Sequence, residues 1–138
     1  FSLASGHVRP LDGLADFKAA AEFHKNRHSA LVGTGLTVWL HQQRISRLIV
    51  AGIRTEQCCE TTTRHASDLG WEVDYVVDAT LTFDMVQPDG KTLAAADIIG
   101  GTLTTMFLDN STASPTRYVD RGEKGADLVA RIEAAILD

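Results

Sequence analysis

The sequence predicts an α/β fold with a central parallel sheet, and three observations in residues 47–79 support this prediction. The segment RLIVAGI is an apolar run without alternation, which is typical of a parallel strand covered on both faces. The segment WEVDYVVDA has the composition of a second strand, and CCETTTRHASDLG between them has the periodicity of a helix. A strand, a helix and a strand joined by short connections form a βαβ unit, whose crossover is almost always right-handed. We expect the first of these strands to lie in the centre of the sheet.

Length and charge limit the domain count and the partners. The chain has 138 residues and a formal net charge of -5, which fits one domain over residues 1–138 with no broad basic surface for nucleic acid. No apolar run approaches the ~20 residues that a membrane-spanning helix needs. The N-terminus also lacks the layout of a secretory signal. These features predict a cytoplasmic protein that binds neither nucleic acid nor membrane.

The residues before the βαβ unit predict two helices separated by a loop. After an irregular lead-in, the first helix spans residues 13–25 with only loose apolar periodicity, and residues 25–35 form a polar, glycine-bearing loop. The second helix spans residues 35–44. Within it Leu36, Trp39 and Leu40 recur at the spacing of a stripe that packs on a core.

The remaining elements follow from similar patterns. In the helix of the βαβ unit, Gly70 is placed as the terminator, and one face carries Cys59, Thr62, Ala66 and Leu69. Residues 92–108 predict a helix weakened by two glycines, and residues 122–137 predict a terminal amphipathic helix. Between these helices, a polar loop ends in a short strand near Tyr118 and Val119.

Both cysteines of the chain, Cys58 and Cys59, stand at the junction of the first strand and the helix. Adjacent thiols do not form a staple between distant segments, so we expect them to be reduced. Cys59 lies on the helix stripe and is interpreted as a buried packing residue. Cys58 precedes that stripe, where the helix macrodipole favours a thiolate and free backbone N–H groups favour an oxyanion. Position alone leaves a functional and a packing role for Cys58 evenly balanced.

The segment LIVAGIRTEQCCETTTRHASDLGWEVDYVVDA, residues 48–79, resembles the signature of the isochorismatase-like cysteine hydrolases, which include nicotinamidases, N-carbamoylsarcosine amidohydrolase and isochorismatases. The resemblance implies a three-layer α/β/α, Rossmann-like fold and assigns Cys58 as the nucleophile. The positions that carry it are Gly52, Ile53, Thr55, Cys58, Thr62, Ala66, Gly70, Asp78 and Ala79. Cys59 fills a position that is usually Val in the family.

Two further site assignments depend on the same resemblance. The segment KNRHSALVGTGL is similar to the family stretch that holds a catalytic lysine, which makes Lys25 the counterpart of that lysine. A lone lysine near a loop would otherwise be interpreted as a solvated surface group. The family also has a cis peptide bond that corresponds here to Ile53 and Arg54. It helps to direct the amides of Arg54 and Cys58 at the substrate oxygen.

The sequence departs from the family pattern in its opening segment. The family's catalytic aspartate ends a first strand that has no counterpart here, and the metal-binding positions of nicotinamidases fall in the same absent region. We therefore predict that the preceding residues exist in a parent protein or on another chain, or are missing from this sequence. Three carboxylates of this chain could substitute for the family's aspartate: Asp12, Asp16 and Glu56. They are interpreted as capping or solvated groups.

The histidines do not predict a metal site. His24 and His28 have i, i+4 spacing, but residues 25 and 26 open a loop between them. His28 is expected at the border of the pocket, and His65 is expected to pack or to form a hydrogen bond behind the nucleophile. No metal and no cofactor are predicted.

The sequence therefore predicts a hydrolase that cleaves an amide, ureide or related C–N bond of a small molecule through Cys58. The reaction type stays open, because isochorismatases in the superfamily cleave a vinyl ether without needing the cysteine. A non-catalytic or degenerate module for ligand binding or assembly is the alternative, and a redox cysteine pair is weaker because the two-residue spacing of redox motifs is absent. By resemblance alone, the protein is expected to be a homo-oligomer, a dimer or a tetramer.

Overall fold

The computed structural model describes residues 3–6, 17–107 and 116–119. A short 3-10 turn, Leu3–Ser5, comes first. The later elements are α1 Leu36–Gln42, β1 Arg47–Ile53, a π-helical turn Thr55–Cys59 that continues into α2 Glu60–Asp68, β2 Glu72–Leu81, β3 Met85–Val86, β4 Thr92–Leu93, α3 Ala95–Phe107 and β5 Thr116–Val119.

The main sheet is parallel and has the order β1-β2-β5. The predicted α/β class with a parallel βαβ unit is confirmed, and the strand predicted near Tyr118 is β5. The β1–β2 register is regular up to Val50 and Tyr75 and then shifts before Gly52 pairs with Thr80. Gly52 has a φ of 121°, a conformation that a residue with a side chain rarely adopts, so this irregular end of the sheet depends on glycine.

The position of β1 in the sheet differs from the prediction. Within the described residues β2, and not β1, is the middle strand. Burial agrees with this order, since the five consecutive residues 73–77 of β2 are buried whereas no residue of β1 is fully buried. An apolar run indicates how much of a strand is covered, but strand order depends on pairing partners distant in sequence.

The core lies between one face of β2 and the described helices. Val73 packs with Leu40 of α1 and Ala66 of α2, while Tyr75 and Val77 pack with α3. The predicted stripe of α1 is confirmed, because Leu40 is buried and its neighbours Leu36 and Trp39 pack against the same cluster. Residues 74 and 76, which alternate to the opposite face of β2, are also buried, as expected for the three-layer arrangement.

The helix of the βαβ unit ends as predicted, but a π-helical turn, Thr55–Cys59, that the sequence did not predict precedes it. Gly70 adopts a φ of 94°, its N–H donates to the carbonyl of Ser67, and the N–H of Trp71 donates to the carbonyl of Ala66. This pair of hydrogen bonds is a Schellman motif. Leu69 was wrongly assigned to the buried stripe, since it is half exposed; it follows the last helical residue, and Thr63 is buried instead.

The helix predicted over residues 13–25 is wrong for residues 17–25, which have no regular secondary structure. The apolar spacing there was loose, and Phe17 is largely exposed. The path of the segment follows its tertiary contacts, in which the ring of Phe23 meets Trp39 edge-on and Lys25 reaches Cys58. Residues 13–16 lie outside the described residues.

After β2 the chain makes a short antiparallel hairpin that the sequence analysis missed. Met85 pairs with Leu93 and Val86 with Thr92, and α3 then begins at Ala95 rather than near residue 92. Strands of two residues carry too little periodicity to be recognised. The terminal helix predicted over residues 122–137 lies outside the described residues. The prediction of a single domain stays a prediction.

Candidate active site

Cys58 lies beyond the carboxyl end of β1, within the π-helical turn that leads into α2. The N–H of Cys59 donates to the carbonyl of Arg54 at 3.1 Å, five residues earlier, and this wide turn carries the chain from strand to helix. Turns of this type occur frequently at functional sites. Strand end and helix start thus converge where open parallel sheets commonly bind ligands.

The two adjacent thiols have different surroundings. Cys58 is half-buried, whereas Cys59 is only 4% exposed and packs with Tyr75 and Val77. Burial, with a smaller contribution from the neighbouring Cys58, raises the pKa of Cys59 to about 11. Cys59 is therefore a neutral thiol of the core at neutral pH, which agrees with the packing role predicted for it.

Lys25 reaches Cys58 across a separation of 33 residues in sequence. The Nζ atom donates to the Sγ atom of Cys58 at 3.1 Å and to the carbonyl oxygen of Arg27 at 2.9 Å. The two residues named from separate sequence segments therefore lie side by side.

The residues between β1 and Cys58 form a small polar cluster around Arg54. The peptide bond between Ile53 and Arg54 is cis. The guanidinium of Arg54 forms an ion pair with the Oε1 atom of Glu56 at 2.6 Å, and it lies 6.0 Å from the ring centroid of Phe83. The Nη2 atom of Arg54 also donates to the Sδ atom of Met85 at 3.0 Å. Sequence reasoning missed Phe83 and Met85, since only the hairpin after β2 brings them here.

Glu56 is held as a charged partner of Arg54. Burial raises the pKa of Glu56, but the Thr82 hydroxyl and the Arg54 guanidinium outweigh it and hold that pKa below its ordinary value. A carboxylate stabilised in this way is a weak base. The interpretation of Glu56 as a capping or solvated group is wrong, because its side chain is only 15% exposed and is paired with Arg54. Asp12 and Asp16 lie outside the described residues.

The histidines take separate places. His24 is exposed and lies 3.6 Å from Glu22, and His28 is exposed. His65 lies on α2, with its Nδ1 atom 2.9 Å from the hydroxyl of Ser29, which agrees with the hydrogen-bonding role predicted for it. In the part of the chain that the structure describes, no group of three or more His, Cys, Asp or Glu side chains is placed to hold a metal ion.

Comparison with known proteins decides the family. The family model of the isochorismatase domain matches residues 5–106. The chain belongs to the isochorismatase family. It is 30% identical to the uncharacterized isochorismatase family protein YrdC of Bacillus subtilis over 92 residues, which cover 67% of this chain and 49% of that protein. It is 42% identical to Nicotinamidase 3 of Arabidopsis thaliana over 60 residues, which cover 44% of this chain and 30% of that protein.

A solved structure agrees with the family assignment. The chain is similar to a cysteine hydrolase from Pseudomonas syringae pv. phaseolicola, with a TM-score of 0.73 and 26% identity, over 93% of this chain and 56% of that chain. The chain thus spans about half the length of relatives such as this hydrolase and YrdC. No described helix is both long and apolar enough to cross a membrane.

Proposed function

We propose that the protein is a hydrolase of the isochorismatase family that cleaves a small-molecule amide or ureide with Cys58 as the nucleophile. The contact between Lys25 Nζ and Cys58 Sγ, 3.1 Å long, carries this proposal. It combines an accessible thiol, a neighbouring cation and the carboxyl end of a parallel strand. The likeness to a nicotinamidase supports an amide substrate rather than a vinyl ether.

In the proposed mechanism the Cys58 thiolate attacks the carbonyl carbon of the substrate. The resulting oxyanion accepts hydrogen bonds from the amides of Arg54 and Cys58, the amine leaves with a proton, and water hydrolyses the thioester. The amides of Gln57 and Cys59 donate to the Arg54 carbonyl at 3.3 and 3.1 Å, so they are already engaged.

Lys25 contributes the positive charge that stabilises the thiolate before attack. The proton of the thiol needs a separate basic group as its acceptor. Glu56 is a poor acceptor, since its carboxylate is paired with Arg54. This division of roles follows the pattern in which a nucleophile is activated by a base and an adjacent charge.

Labelling of the two thiols tests the proposal on the chain itself. The protein is treated with iodoacetamide between pH 5 and 9, and the modification of each cysteine is followed by mass spectrometry of the peptide that contains both. Cys58 should be alkylated below pH 7 while Cys59 stays unmodified. Failure of Cys58 to react near neutrality would identify it as a structural thiol and support the alternative of a non-catalytic module.

Turnover is tested with a set of primary amides and ureides that includes nicotinamide. Ammonia release should require Cys58, and an acyl adduct should be detected on the Cys58 peptide after rapid acid quenching. The Cys59→Val variant serves as the matched control, because it keeps an apolar side chain at the packing position. Release of ammonia by a Cys58→Ala variant at the parent rate would contradict the mechanism.

The proposal extends to the binding partner, the oligomeric state and the cellular location of the protein. The partner of the site is a small molecule, and the assembly of the protein into dimers or tetramers and its cytoplasmic location stay predictions. Light scattering of the purified protein tests the first of these, and a fluorescent fusion tests the second.

A further inference from the structure

We propose that His65 and Thr62 are positioning residues that hold the Lys25 loop, residues 25–31, against α2 and thereby set the contact between Lys25 and Cys58. This inference rests on the proposed function, because it assigns the loop a task in activating Cys58. It concerns two side chains of α2 that have no place in the proposed chemistry itself.

The Lys25 loop runs along one face of the helix. Lys25 meets Cys58, the Ala30 N–H donates to the Thr62 hydroxyl at 3.0 Å, and Ser29 meets His65. Leu31 then packs in the same cluster as Ala66. Cys58 lies four residues before Thr62, and His65 and Ala66 lie three and four residues after it, which is the spacing of one helix face.

Ser29 is the most constrained polar group in this contact. It is only 4% exposed, and its hydroxyl accepts from the Leu31 N–H at 3.2 Å while lying 2.9 Å from His65 Nδ1. A buried hydroxyl that loses its partner keeps the desolvation cost and gains no water in return. Removal of the His65 ring would therefore favour displacement of the loop at Ser29.

The side chain of Lys25 is not fixed by packing in the core. Its side chain is exposed and is held by the Arg27 carbonyl at 2.9 Å as well as by Cys58. Arg27 lies only two residues before Ser29, and residues 26–28 between the two anchor points are exposed. A shift of the loop at Ser29 and Ala30 would thus move the carbonyl that orients the ammonium group.

The helix has separate supports. Ala66 is fully buried, and the Schellman hydrogen bonds at Gly70 close its carboxyl end. Loss of a side chain at residue 62 or 65 should consequently disturb the loop more than α2. This difference separates a positioning role from a general contribution to folding.

The test compares Thr62→Val and His65→Ala with two matched variants in the full chain. Thr61→Val makes the same change at an exposed neighbour, and His65→Asn keeps a polar atom near the place of Nδ1. The rate of Cys58 alkylation by iodoacetamide is measured across pH for each variant. We expect Thr62→Val and His65→Ala to slow it about two- to tenfold at pH 7, the effect of one hydrogen bond. Thr61→Val and His65→Asn should stay close to the parent.

A double-mutant cycle with Lys25→Met then shows whether the effect passes through Lys25. If His65 acts by positioning Lys25, His65→Ala should have no further effect on alkylation once Lys25 is replaced. An undiminished effect in that background, or a parent-like profile for both Thr62→Val and His65→Ala, overturns the inference while the proposed function stands. A parent-like profile for Lys25→Met overturns the inference and the proposed role of Lys25 together.

Discussion

Cys58 and Cys59 are neighbours in sequence but belong to different regions of the molecule. Successive residues of a helix point about 100° apart, so two adjacent side chains at a helix start readily face different surroundings. Cys58 meets Lys25 at the end of the sheet, whereas Cys59 packs against Tyr75 under α3. The comparison shows that the surroundings of each thiol differ although the residue type is the same: Cys58 has a charged neighbour, and Cys59 is buried.

The largest effect is expected on turnover when the half-buried thiol of Cys58 is removed. Cys58→Ala should lower amide hydrolysis by at least about a thousandfold, as expected for loss of a nucleophile. Cys59→Val should keep turnover within a few-fold, because only packing changes. Steady-state assays of ammonia release measure both variants. Equal losses in the two variants would remove the functional distinction between the cysteines.

Replacement of the cation should give the next largest effect. Lys25→Met is expected to slow alkylation of Cys58 at pH 7 by about ten- to a hundredfold, since it removes the charged hydrogen-bond donor that lies 3.1 Å from the Sγ atom. Lys18→Met is the matched control, as Lys18 is another exposed lysine of the same segment. Rates are measured from the iodoacetamide-modified peptide. A similar loss in Lys18→Met would point to the overall charge of the protein instead.

The buried thiol should affect stability at alkaline pH. Cys59 has a pKa of about 11 in the folded protein against an ordinary value of 9.0, so between these values the unfolded chain has released a proton that the folded chain retains. Stability therefore falls as pH rises through this window, by up to about 2 kcal/mol. Urea unfolding at pH 8, 9, 10 and 11 measures the slope, which should be shallower in Cys59→Val. Cys58→Ala should keep the slope of the parent, and a slope as shallow as that of Cys59→Val would contradict the assignment to Cys59.

The smallest effect is expected from the polar contact under the site. The Tyr75 hydroxyl donates to the Thr55 carbonyl at 3.0 Å in a buried position. Tyr75→Phe should lower the free energy of unfolding by about 1 kcal/mol, the typical net contribution of one hydrogen bond. Alkylation of Cys58 should be unchanged, because Tyr75 lies on the Cys59 side of the turn. A slowed alkylation would show that the two regions are coupled.

Prediction from sequence succeeded where local pattern and family motif agreed. The βαβ unit follows from an apolar strand, a helix closed by Gly70 and a second strand, and the structure has all three. The same approach was wrong over residues 17–25, where loose spacing suggested a helix. There Phe23 and Lys25 make contacts with distant residues, which no local pattern encodes.

The sequence by itself determined the parallel strand–helix–strand unit and the placement of two thiols at its junction, because periodicity and turn residues act over short distances. Only the tertiary structure decided that β2 is the middle strand of the described sheet, that Lys25 meets Cys58, and that His65 and Thr62 hold the loop between them. The strand pairs and the side-chain contacts behind these three features join residues more than 20 positions apart. The geometry of such contacts depends on how the whole core packs.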